Sequence, residues 1–217
     1  YETEHHDECR TIYRDFFTGL KDYGYCIKCV FITGITKFTQ ISLFSTLNTL
    51  VNISFEDSLA AVCGITNQEL LFYFQKEIAM LSEKCKLSEA DTINEMKSLY
   101  DGYHFASNML NVYNPYSVLS AFSRGKLNSY WIASGSNEML FKILNKFAKD
   151  IPKLDNCLID ADYLEESDVN MIDPKLFLYQ AGYLTIKAVD GDTYTLGYPN
   201  REAKDMIEMR LQPARNK

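Results

Sequence analysis

Thr33, Gly34, Thr36 and Lys37 follow a short apolar run in the stretch CVFITGITKF, Cys29 to Phe38. Hydroxyls, a glycine and a lysine at the carboxyl end of a buried strand can meet a phosphate or its attacking water, because parallel α/β sheets bind ligands outside those ends. The same residues also suit a plain structural role, with Gly34 in a tight turn and Thr33 capping a following helix. These four positions are the candidate cofactor-binding residues. No G-x-x-x-x-G-K-[ST] occurs in the 217 residues, so no P-loop cradles phosphates here. No apolar run ends in Asp-Glu or Asp-Asp to supply a magnesium ligand and a water-activating carboxylate. The chain alone is expected not to hydrolyse a nucleotide, and no catalytic residue is assigned.

Other constellations are weaker. Cys26 and Cys29 form a C-x-x-C, but no second pair and no spaced histidines complete a zinc site, and packing within a strand explains them more simply. His5, His6, Asp7 and Cys9 lie at a terminus, where adventitious metal binding competes with plain mobility. No metal site is assigned. His104 is the one internal histidine, too few for a Ser-His-Asp or Cys-His arrangement. The acidic run DADYLEESD, 160–168, reads as a solvated face.

The elements that must position these residues follow from periodicity. Apolar residues at helical spacing predict a helix over 7–21, closing near Gly24. The aromatic and β-branched run YCIKCVFITG predicts a buried strand, and helix followed by apolar strand is the pattern of a parallel sheet covered by helices. A short helix is expected over Ile41–Ile53. Thr66 three residues before Glu69 is a capping box opening a helical repeat through Leu81. Further helices are expected from Ser88 to Tyr100, from Pro115 after Asn114, and over SNEMLFKILNKFAK. Asp101-Gly102 marks a turn. The last third differs: a short helix from Pro174 to about Gln180 precedes β runs Tyr183–Val189 and Thr193–Tyr198 joined through Gly191, a hairpin. Helices leading into a hairpin suit a winged-helix module, and RLQPARNK reads as a polar tail.

Composition sets the class. An apolar fraction of 47% and a charged fraction of 24% describe an ordinary soluble globular chain. A net charge of −7 argues against a surface that neutralises many phosphates, so nucleic acid is not the expected partner; a protein partner or self-association is. Apolar runs fall far short of a membrane span and no signal peptide opens the chain, so no membrane association and a cytoplasmic location are expected. Six scattered cysteines read as reduced thiols. The chain opens on Tyr1 rather than Met, which suggests a fragment.

Seven segments taken together carry a resemblance. FITGITKFTQISLFSTLNTLVNIS, CGITNQEL, LYDGYHF, VYNPYSVLSAF, YWIASGS, LFLYQAGYLTI and YTLGYPNREA resemble, in this order, the blocks of the AAA-ATPase-like family, P-loop NTPases of the AAA/STAND type abundant in Bacteroides and related anaerobes. The likeness runs from about residue 10 to 203. It implies the middle of such a protein: an α/β, mainly helical chain, with residues 1–64 the carboxyl-terminal part of an NTPase core containing the sensor strand, 65–150 a helical lid, and 151–217 a winged-helix-like region and tail. ATP and magnesium would be cofactors of the longer protein. Thr33 would face the γ-phosphate or its water, and Lys37 would answer negative charge nearby. YDGYHF and YNPYS would shape the lid or pack over a base. Members often end in a PD-(D/E)xK nuclease-like domain, from which NREAKDMIEMRLQPARNK departs, leaving nuclease chemistry outside this chain.

Overall fold

The computed structural model describes residues 6–34, 51–131, 154–165 and 173–215. Helix α1, His6–Asp22, is followed by a 3-10 turn at Gly24–Cys26. Residues 27–34 then run without regular structure. The buried strand expected there is not present: Val30, Phe31 and Ile32 are 40%, 62% and 40% exposed. A strand needs a neighbour to accept its ladder hydrogen bonds, and no described segment pairs with this one. The short helix expected over 41–53 and the helix over SNEMLFKILNKFAK lie outside the described residues, apart from 51–53, which are irregular.

From residue 65 the fold is mostly helical. Strand β1, Ile65–Thr66, pairs antiparallel with β2, Val112–Tyr113. Thr66 accepts from the Glu69 amide and Glu69 returns a carboxylate to the Thr66 amide, the reciprocal capping box the sequence implies. The helix it opens is shorter than expected: α2, Asn67–Tyr73, breaks at Phe74 (φ −114°, ψ 25°), and α3, Gln75–Cys85, resumes beyond it. Phe74 stacks on Phe122, their centroids 5.5 Å apart, so an inward aromatic occupies the break. Helix α4, Glu89–Tyr100, is capped by Ser88, and α5, Pro115–Arg124, by Asn114 with Pro115 in its first turn. Gly125 ends α5 in the left-handed conformation, φ 62°. Leu70, Ile78, Leu81, Met96, Tyr100, Tyr113 and Val118 form the core of this helical unit.

The second unit is built on antiparallel β3, Cys157–Asp160, β4, Thr185–Asp190, and β5, Thr193–Gly197, in the order β3-β5-β4. Helices α6, Ala161–Glu165, and α7, Pro174–Gln180, lie between β3 and β4 in the chain. Gly191 takes φ +56° at the hairpin turn. A bulge sits between Ile186 and Ala188, making Lys187 the extra residue. Leu164, Leu178, Leu184, Ile186, Leu196 and Ile207 belong to a core separate from the first. Helix α8, Arg201–Arg215, continues through the segment read from sequence as a polar tail.

The described architecture is therefore mixed α and β, with small antiparallel sheets. The parallel sheet expected of a P-loop core is absent among the described residues, because the apolar segment that would join one stands unpaired.

Candidate functional site

Two of the four residues singled out at the strand end are among the described residues. Thr33 and Gly34 are exposed in irregular backbone, and Thr36 and Lys37 lie outside the described residues. Among the described residues no loop or cation converges on Thr33, so no nucleotide geometry follows from this part of the chain. The C-x-x-C is not packed in a strand: Cys26 and Cys29 are exposed free thiols. Among the described residues no three His, Cys, Asp or Glu side chains gather to hold a metal ion.

The polar groups that do converge lie where the two units meet, on YDGYHF (100–105), YNPYS (113–117) and YPNRE (198–202). Gly102 makes the closest approach. Its φ is +90°, and a Cβ there would fall 2.2 Å from the Pro199 carbonyl oxygen, so both backbone hand and space require glycine. Asn200 uses both ends of its amide: Nδ2 donates to the Asp101 carbonyl over 2.9 Å, and Oδ1 accepts from the Ala203 amide over 3.1 Å, capping α8. His104 and Thr185 exchange bonds, the His104 amide donating to Thr185 Oγ1 and that hydroxyl donating to the His104 carbonyl. The His104 ring nitrogen Nδ1 lies 2.7 Å from the Ile186 carbonyl, which acts as acceptor, so the imidazole is a structural donor.

Glu202 is the centre of this seam. In the first turn of α8, only 1% exposed, it accepts from Ser117 Oγ over 2.8 Å, from the Trp131 amide over 2.9 Å, and from the Tyr130 amide. Burial pushes its carboxyl above the usual carboxylate range, while the bonds from Ser117, Trp131 and Tyr130 pull it back. Asp101 is likewise raised by burial, opposed by the Gly102 amide and by Lys97, His104 and Lys187. Its Oδ1 makes no hydrogen bond among the described residues, while the buried Tyr103 hydroxyl has the Asn114 and Asn200 side chains beside it. Lys187, re-aimed by the bulge, approaches the Pro199 carbonyl at 3.4 Å; burial lowers its pKa against the pull of Asp155 and Asp101. Arg201 pairs with Glu95 at the exposed edge.

This arrangement joins two units, and its hydroxyl–carboxylate contact, Ser117 with Glu202, is buried within the seam. The YDGYHF and YNPYS blocks shape the helices: Tyr100 donates its hydroxyl to the Asn128 carbonyl, and Asn114 caps α5. Glu202 and Asp101 escape sequence reasoning because an acid at a helix end, in the first turn of α8 or at the C-cap of α4, ordinarily faces solvent. Its place directly after the Pro199-Asn200 turn is the one sequence signal that could have found Glu202. An open recess of about 730 Å³ beside the seam is lined by Lys84, Asp91, Glu95 and Lys126, charges of both signs that select no ligand class.

Among the described residues no helix is long and apolar enough to cross a membrane. No family model matches the chain, and no solved structure matches it. An uncharacterized protein in the vnfD 5′ region of Azotobacter chroococcum mcd 1 is 29% identical over 208 residues. That match takes in 94% of this chain and 38% of the relative, so the chain spans well under half of the protein it is similar to.

Proposed function

We propose that this chain is part of a longer ATP-binding protein of the AAA-ATPase-like kind and is not catalytic alone. The observation that carries the reading is the segment Val30–Phe31–Ile32, exposed and paired with no described strand, after a helix whose Ile12 and Phe16 are also exposed. An exposed apolar helix face followed by an exposed apolar run is half of a βα layer, and a sheet contributed by other sequence would bury both. The 38% coverage of the relative leaves ample chain to supply that sheet. In the longer protein Thr33 and Gly34 end the sensor strand, with Thr36 and Lys37 beyond it, and ATP with magnesium is held by Walker motifs outside this chain. The 217-residue chain should show no hydrolysis above background, and the longer protein should lose its ATPase activity on Thr33→Ala. Hydrolysis by the chain alone that Thr33→Ala abolishes would overturn the reading.

A second reading rests on the carboxyl-terminal unit. The succession β3-α6-α7-β4-β5, with β3 against β5, is the order of a winged helix, and we propose that it binds protein rather than DNA. Leu176, Phe177 and Leu178 of α7 are buried, leaving Lys175 as that helix's only cation. A duplex needs several phosphates neutralised. An electrophoretic shift with duplex DNA that weakens steeply with salt would reverse this assignment.

A further inference from the structure

We infer that the turn Pro199–Glu202 is a releasable latch, and that the helical unit and the β3-β5-β4 unit open from one another as intact bodies when it lets go. The inference is independent of nucleotide binding.

Three observations carry it. The apolar cores are separate: Leu70, Met96 and Tyr113 belong to one, Leu178, Ile186 and Leu196 to the other. Across the seam α8 packs against α4, and at the rim Phe55, Met109 and Trp131 touch the second core, the Trp131 ring lying 4.9 Å from Tyr183. Units joined without a shared core move relative to one another by default.

The bonds across the seam are polar and concentrated on one turn. Asn200 reaches Asp101, Arg201 reaches Glu95, and Glu202 reaches Ser117, Tyr130 and Trp131. Outside that turn the principal polar link is His104 with Thr185 and Ile186. Water replaces such bonds when a polar seam opens, whereas an exposed apolar core has no replacement.

Closure also carries desolvation that opening relieves. Glu202 is buried against hydrogen-bond donors, and its neighbour Arg201 turns to Glu95 instead. Asp101 Oδ1 is buried with no hydrogen bond among the described residues. Each is costly only while the seam is shut, so the closed state lies close in free energy to an open one.

Native-state hydrogen exchange of the 217-residue chain in sub-denaturing urea tests the latch. The Tyr130, Trp131 and His104 amides report the seam; amides within α4 and within β4–β5 report the two cores. Seam amides should exchange at least about tenfold faster than both core sets, with a shallower urea dependence. Glu202→Ala should accelerate the seam amides by at least a further order of magnitude, with a urea dependence that stays shallower than that of either core set. Equal rates and equal urea slopes for seam and core in the wild-type chain would overturn the inference, and that measurement decides even if Glu202→Ala fails to fold. Seam amides that take on the urea dependence of the cores in a folded Glu202→Ala would overturn it as well.

Discussion

Ser117 donates its hydroxyl to the Glu202 carboxylate over 2.8 Å, a buried bond between residues 85 positions apart. It ties the first turn of α5 to the first turn of α8 and aligns the carboxylate to receive the Tyr130 and Trp131 amides. Removing either end has calculable consequences.

Glu202→Ala leaves two inward amides without an acceptor and should lower stability by about 2–4 kcal/mol, read as a fall in the urea midpoint. Glu202→Gln keeps a carbonyl oxygen for both amides and an NH₂ to donate to Ser117 Oγ. Its cost should stay within about 1 kcal/mol.

The same pair of proteins should part with pH. Burial raises the folded-state pKa of Glu202 above its unfolded value, so the protonated form favours folding. That contribution is fully present below the ordinary carboxylate range and is lost as pH rises through the higher folded value. The groups facing Glu202 are the Tyr100, Tyr103 and Tyr130 hydroxyls, uncharged in this window, with Glu95 held by Arg201. Asp101, raised by burial too, acts in the same direction in both proteins. Urea titrations of wild type and Glu202→Gln at about pH 4 and about pH 7.5 should show the stability difference moving toward Glu202→Gln at the higher pH.

Gly102→Ala meets two obstacles, φ of +90° and a backbone oxygen 2.2 Å from the new Cβ. The Pro199 carbonyl cannot rotate away as a side chain would. A loss of about 3 kcal/mol or more is expected in thermal or urea unfolding, against almost none for Gly19→Ala, whose Cβ position meets nothing within 4 Å.

Two local features set the lower end of the scale. Thr66→Ala removes the capping-box hydroxyl and should cost about 1 kcal/mol. Arg201→Ala breaks a pair whose side chains are 44% and 37% exposed, and solvent screening should hold its cost below about 1 kcal/mol. A larger loss at Arg201 would mean that the pair carries the seam more than Glu202 does.

Much of the local structure was legible from one sequence. The capping box at Thr66 and Glu69, the Asn114-Pro115 start of α5, the extent of α7 and the hairpin around Gly191 were expected where they occur. Each is decided by residues within a few positions of one another. The break at Phe74 was not legible, because the apolar spacing continues through it and the stacking partner Phe122 is far along the chain. The strand expected at Cys29–Ile32 failed for the complementary reason: its residue types suit a sheet, but a strand exists only where another segment answers its amides and carbonyls.

What the sequence determined by itself is therefore the inventory of short-range elements: caps, turns, amphipathic faces and a hairpin, whose free energies reside in neighbouring residues. Only the tertiary structure decided that YDGYHF, YNPYS and YPNRE meet, that Gly102 lies against Pro199, and that Glu202 is buried rather than solvated. Sequence spacing carries the period of a helix but not the identity of what packs against it. A carboxylate is therefore recognised as structural only once its distant donors, Ser117, Tyr130 and Trp131, are in place.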